Sequence, residues 1–98
     1  MQPCEIASRT IVPTIRFYLI KELAEKYGLV QSKIAEVLGI TQPAVSQYLR
    51  MKRGRRIMEV DKRIREEISK LAAEIGLGKK LSVEKEICRI CRMIRENE

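Results

Sequence analysis

The chain has no histidine and no tryptophan, one phenylalanine and three tyrosines. Without imidazole it lacks the usual general base near neutral pH and the commonest metal ligand, so hydrolytic chemistry is not expected. Phe17, Tyr18, Tyr27 and Tyr48 are too few to build a core, which must therefore be aliphatic; isoleucine, in thirteen copies, supplies most of it. No run approaches the roughly 18 uninterrupted apolar residues of a membrane span. Met1 to Thr10 carries Glu5 and Arg9 where a secretory leader would be apolar. A soluble, cytoplasmic chain with no membrane partner is the expectation. Neither an alternating strand pattern nor an Asn-Gly hairpin signal occurs.

What the chain has is charge, unevenly placed. Its 98 residues carry 20 Lys+Arg against 13 Asp+Glu, a formal charge of +7, with 45% hydrophobic residues. That composition is globular rather than that of a disordered basic tail, and the length suits one domain. Residues 1–29 hold four basic and three acidic side chains, residues 57–98 ten and nine, and residues 30–56 six and one. Most of the imbalance thus lies in one window. Within it Arg50, Lys52, Arg53, Arg55 and Arg56 crowd around Gly54, a density that points to a polyanion partner. A solvated basic turn is the plainer alternative.

Helix signals run the whole length. Ile15, Leu19, Leu23 and Tyr27 at fourfold spacing predict a helix from Pro13 to Tyr27, ended at Gly28, and Cys4 to Ile11 offers a short helix before it. A second helix, Gln31 to Leu38, puts Ile34, Val37 and Leu38 inward and stops at Gly39. Thr41 is a good N-cap, Pro43 is tolerated in a first turn, and Val45, Tyr48 and Leu49 form the inner stripe of a third helix, Gln42 to Met51. The segment QSKIAEVLGITQPAVSQYLR therefore reads as helix, tight glycine turn, helix. Small Ala35 lets the pair cross closely, and Ile34, Leu38, Ile40, Val45 and Tyr48 fill the angle. This register leaves Gln42, Ala44, Ser46, Gln47 and Arg50 on or near the outer face. They are short or amide-bearing side chains plus one guanidinium, suited to base edges in a major groove; the bland alternative is a solvated polar face.

The segment resembles the helix-turn-helix of bacterial and archaeal transcription regulators. The longer run PCEIASRTIVPTIR…YGLVQSKIAEVLGITQPAVSQYLRMKRG resembles a group of small archaeal regulators similar to the DNA-binding half of thiamine-responsive ones. The likeness covers residues 3–56 well and the ICRICRMIR run loosely. It implies that the second helix of the motif enters the major groove while the first lies across the backbone. Gln42, Ala44, Ser46 and Gln47 would then face bases, and Gln31, Ser32, Lys33 and Thr41 would meet phosphates. No large effector domain follows, which departs from the thiamine-responsive pattern.

Beyond the basic turn, Ile57, Val60, Ile64, Ile68, Leu71 and Ile75 recur at spacings of 3, 4, 4, 3 and 4. They predict one long amphipathic helix from Ile57 to Ile75, packed within the monomer, along a subunit seam, or both. Gly76, Leu77 and Gly78 break the chain. Ser82 caps a last helix to Arg95, with Val83, Ile87, Ile90, Cys91 and Ile94 inward and Glu84 and Glu86 at its positive end.

Cys88 and Cys91 form a C-x-x-C on that helix and Cys4 lies near the N-terminus. Three thiols without histidine make an incomplete zinc set, although three thiolates hold some iron-sulfur clusters. Packing as small apolar residues and a redox disulfide are the other two options. The sequence thus predicts a compact all-α, multi-helix domain, with a helix-turn-helix region over residues 1–56 and two further helices over 57–98. It predicts a double-stranded DNA-binding, repressor-like transcription regulator, homodimeric and not an enzyme. A metal- or redox-linked interaction module and a nonspecific nucleic-acid packaging protein stand as alternatives.

Overall fold

Pro13 opens the first helix at a turn whose amides have no intrahelical partner anyway. From there α1, Val12–Glu25, buries Thr14, Ile15, Phe17, Tyr18, Leu19, Ile20, Glu22 and Leu23, side chains that point in almost every direction around its axis. A helix apolar on so many sides must be surrounded. The other helices do surround it: α2 (Gln31–Leu38), α3 (Gln42–Arg50), α4 (Lys62–Gly76) and α5 (Val83–Glu96) all pack against α1. This computed structural model describes residues 10–51 and 57–96. The short helix expected over Cys4 to Ile11 falls mostly outside the described residues. Cys4 and the cationic side chains Lys52, Arg53, Arg55 and Arg56 lie outside them as well. Among the described residues the protein is all-α, with no strand.

Helix ends follow local chemistry. Gly39 adopts the left-handed conformation, φ 68°. Its N–H returns to the Glu36 carbonyl and that of Ile40 to Ala35 at 3.1 Å, the paired bonds of a Schellman turn. The same arrangement closes α4 at Gly78, φ 80°, where Lys79 N–H reaches the Glu74 carbonyl at 3.0 Å. Ser82 starts α5, accepting from Lys85 N–H on its hydroxyl and from Glu86 N–H on its carbonyl.

The helix expected from Ile57 begins five residues later. Ile57 is buried, but residues 57–61 are not helical, because both backbone groups of Met58 are bonded to α1. Met58 N–H donates to Thr14 Oγ1 at 3.0 Å, and the Tyr18 hydroxyl donates to the Met58 carbonyl at 3.3 Å. Asp61 then caps α4, its Oδ1 accepting from Ile64 N–H at 2.9 Å. The apolar periodicity ran through Ile57 and Val60 without marking where the helix starts; Asp61, three residues before Ile64, carried that signal. α1 also stops short of Tyr27, which is partly exposed and has its ring close against Gly76.

α4 and α5 are joined through Arg89, which bonds Glu67 at 3.0 Å and Glu86 at 3.1 Å. The hydrogen bond from Arg89, opposed in part by desolvation, holds the Glu67 carboxyl below its ordinary pKa. A depressed carboxylate contributes stability above its unfolded pKa and loses it as pH falls through the folded value. Arg89→Met should therefore cost no more than about 1 kcal/mol at pH 7, the pair being partly exposed. Urea midpoints of the two proteins should converge as pH drops below the carboxylate range. Thr14→Val keeps the volume but strands the Met58 N–H, and should lower stability by about 1–3 kcal/mol in the same measurement.

Candidate nucleic-acid interface

α2 and α3 meet over Ile34, Ala35 and Val45, which are buried, with Leu38, Ile40 and Tyr48 half-buried around them. Thr41 holds the start of α3 through Ala44 N–H, which donates to its Oγ1 at 3.2 Å. The far end is held by α1, since Lys21 Nζ donates to the Leu49 carbonyl at 3.1 Å. A cation at a helix C-terminus satisfies an orphan carbonyl and suits the dipole. The nine-residue α3 is thus fixed at both ends.

Of the residues expected on the outer face, Gln42, Gln47 and Arg50 are exposed and Ala44 and Ser46 are half-buried. Helical register makes Pro43, Gln47 and Arg50 the outermost line, with Gln42 and Ser46 on one flank and Ala44 on the other. Gln31, Ser32, Lys33 and Thr41 are also exposed. Gln31, at the start of α2, lines a shallow groove with Gln42, Pro43 and Ser46, so one expected phosphate contact and two expected base contacts share one surface. Ala44 and Gln47 face the opposite way, across a cleft of about 280 Å³. Lys33 stands 3.8 Å from Glu36, the only acidic side chain between Val30 and Met51.

Two residues of this surface were missed. Pro43 is exposed at the centre of the outer line; its apolar ring suits contact with a thymine methyl rather than a hydrogen bond. Arg16, on α1, lines the cleft beside Ala44, Gln47, Tyr48 and Met51, and its Nε is buried with no hydrogen-bond partner among the described residues. A signal for it was available: Arg16 is the only charged residue in IVPTIRFYLI, and a lone charge in so apolar a run has to reach the rim of the fold.

The two cysteines of the last helix sit in different surroundings. Cys88 is exposed, lining a cleft with Val12, Arg16, Leu38, Gly39 and Glu84, whereas Cys91 is buried in the core. Arg89, next in sequence to Cys88, is engaged by Glu67 and Glu86. Among the described residues no group of three or more His, Cys, Asp or Glu is placed to hold a metal; Cys4, the third member of the expected zinc or iron-sulfur set, lies outside them. Packing alone predicts unequal substitutions. Cys91→Ser should cost about 1–3 kcal/mol by burying a hydroxyl, and Cys88→Ser should stay within about 0.5 kcal/mol. Equal large losses, accompanied by metal in the wild-type protein, would identify a shared site instead.

Among the described residues no helix is long and apolar enough to cross a membrane. Comparison of the chain with family models, with curated proteins and with solved structures finds no match.

Proposed function

We propose that the protein is a sequence-specific double-stranded DNA-binding transcription regulator, a binding protein and not an enzyme, that reads the major groove with α3. The observation that carries this reading is the outer surface of α3. A line of Pro43, Gln47 and Arg50 is flanked by Gln42 and Ser46 beside Gln31, and by Ala44 beside Arg16. It carries donors, a methyl-sized surface and cations, but no carboxylate. Gln pairs bidentately with adenine, Arg with guanine or a phosphate, and short side chains allow close approach to the groove floor. Gln31, Ser32, Lys33 and Thr41 are the proposed backbone contacts, extended by the sequence cluster Lys52, Arg53, Arg55 and Arg56.

A nine-residue reading helix spans only a few base pairs, so useful discrimination calls for two copies. We take the working unit to be a repressor-like homodimer with half-sites about 34 Å apart or a multiple of it. α4 and α5 are the candidate contact surfaces.

Selection of bound duplexes from a random pool tests the reading. On the preferred duplex Gln47→Ala should cost about 1–3 kcal/mol, and much less on random DNA. The slope of log affinity against log salt should stay unchanged, because no phosphate contact is lost. Equal losses on both duplexes would remove Gln47 from base recognition, and a pool that yields no preferred sequence would favour packaging over regulation.

A further inference from the structure

On the side of α2 away from α3, the turn between α4 and α5 folds against the helix and leaves a cleft of about 280 Å³. Its charged lining is uniform in sign: Lys33 from α2, and Lys79 and Lys80 from the turn. Its apolar lining includes Val37, Leu81 and Val83, of which Val83 is buried and the other two half-buried. Two of the lysines have acidic neighbours. Lys79 bonds Glu74 at 2.8 Å and Lys33 lies 3.8 Å from Glu36, whereas Lys80 is exposed with no acid in salt-bridge reach among the described residues. An apolar lining with a few converging polar groups is the ordinary make-up of a small-molecule site, and the volume falls just below the roughly 300–1,000 Å³ of drug-sized sites, which suits a small ligand.

We propose that this cleft binds a small amphipathic anion, a short apolar body bearing one carboxylate or phosphate, with the body on Val37, Leu81 and Val83 and the charge between Lys33 and Lys80. The cleft joins the helix-turn-helix to the C-terminal helices and shares Lys33 with the proposed DNA surface. An anion held there neutralises a charge that would otherwise meet a phosphate, so ligand and DNA oppose each other. This second consequence rests on the DNA-binding reading; binding of the anion does not. Linkage requires the antagonism to be reciprocal.

Octanoate serves as the probe, with acetate as the anion lacking an apolar body and octanol as the body lacking the charge. Titration of methyl-labelled full-length protein should give saturable shifts at Val37, Leu81 and Val83 with octanoate alone. The affinity should be about tenfold weaker in Lys80→Gln, a change at an exposed side chain that leaves folding intact. The absence of saturable shifts at these methyls, an equal response to acetate or octanol, or an unchanged affinity in Lys80→Gln would overturn the site. Octanoate at a concentration that just fills the wild-type cleft should weaken binding to the selected duplex by at least about fivefold, and by less in Lys80→Gln, whose cleft is then only partly filled. Undiminished duplex binding with the cleft filled would overturn the antagonism. Octanoate binding by a protein that binds no duplex would uphold the cleft and refute the DNA reading.

Discussion

Everything in this fold depends on burying α1 on nearly all sides. Ile15, Leu19, Ile20 and Leu23 are fully inaccessible, each worth about 1.5–3 kcal/mol as a buried large aliphatic side chain. The other four helices reach the core by covering α1. Short helices such as the eight-residue α2 and nine-residue α3 are not stable alone in water, so their existence and their crossing angle both depend on this central helix. The cations of α1 stay at its edges. Lys21 reaches the last turn of α3 with its Nζ 5.7 Å from the Phe17 ring centre, and Arg16 lies along the cleft beside Gln47. The same helix that supplies the core therefore also orients the outer surface.

Apolar burial by itself specifies register poorly, and a few polar contacts supply what it lacks. The buried Glu22 carboxylate accepts from Ser69 Oγ at 2.7 Å and pairs with Lys26 at 3.1 Å, which fixes α4 against α1 along its length. Thr14 and Tyr18 hold Met58, and Arg65 stacks 4.5 Å from the Tyr18 ring centre. Each net contribution is modest, but a slipped register would bury these groups unpaired, at a cost of several kcal/mol in sum. Gly76 has a different role. A Cβ there would lie 2.6 Å from the Tyr27 ring, so the glycine permits the close approach of α4 to the end of α1.

Local chemistry made α2, its turn and α3 legible in the sequence, because Gly39, Thr41 and Ala35 act on neighbours a few residues away. The rest of the fold is set by partners distant in the chain. Periodicity showed one stripe on α1, yet Phe17, Tyr18 and Ile20 are buried as well, because helices arrive from other directions. Periodicity also carried a helix through Met58, where hydrogen bonds to residues 40 and 44 positions away hold the chain out of helical form. The outer line of α3 followed from register, and only Pro43 was passed over, as a residue with no donor to offer. Arg16 became part of that surface only when α1 packed beside α3. C-x-x-C spacing placed two thiols one turn apart without saying that the edge of the core would run between them.

α2 lies between two surfaces of the fold. One edge of α2 meets α3 through the glycine turn, and its opposite edge meets α5 and the α4–α5 turn. Gln31, on the first edge, shares a groove with the outer residues of α3; Lys33, two residues on, shares a cleft with Lys79 and Lys80. Residues two apart on a helix do not face each other, so one turn of α2 presents a polar amide to one surface and a cation to the other. A charge change at the rear cleft needs no moving element to be felt at the front. Lys33 lines the rear cleft but follows Ser32 directly and Gln31 by two residues, a separation within a Debye length of about 8 Å at physiological salt, so on the proposed reading its neutralisation would weaken the attraction of a phosphate held there.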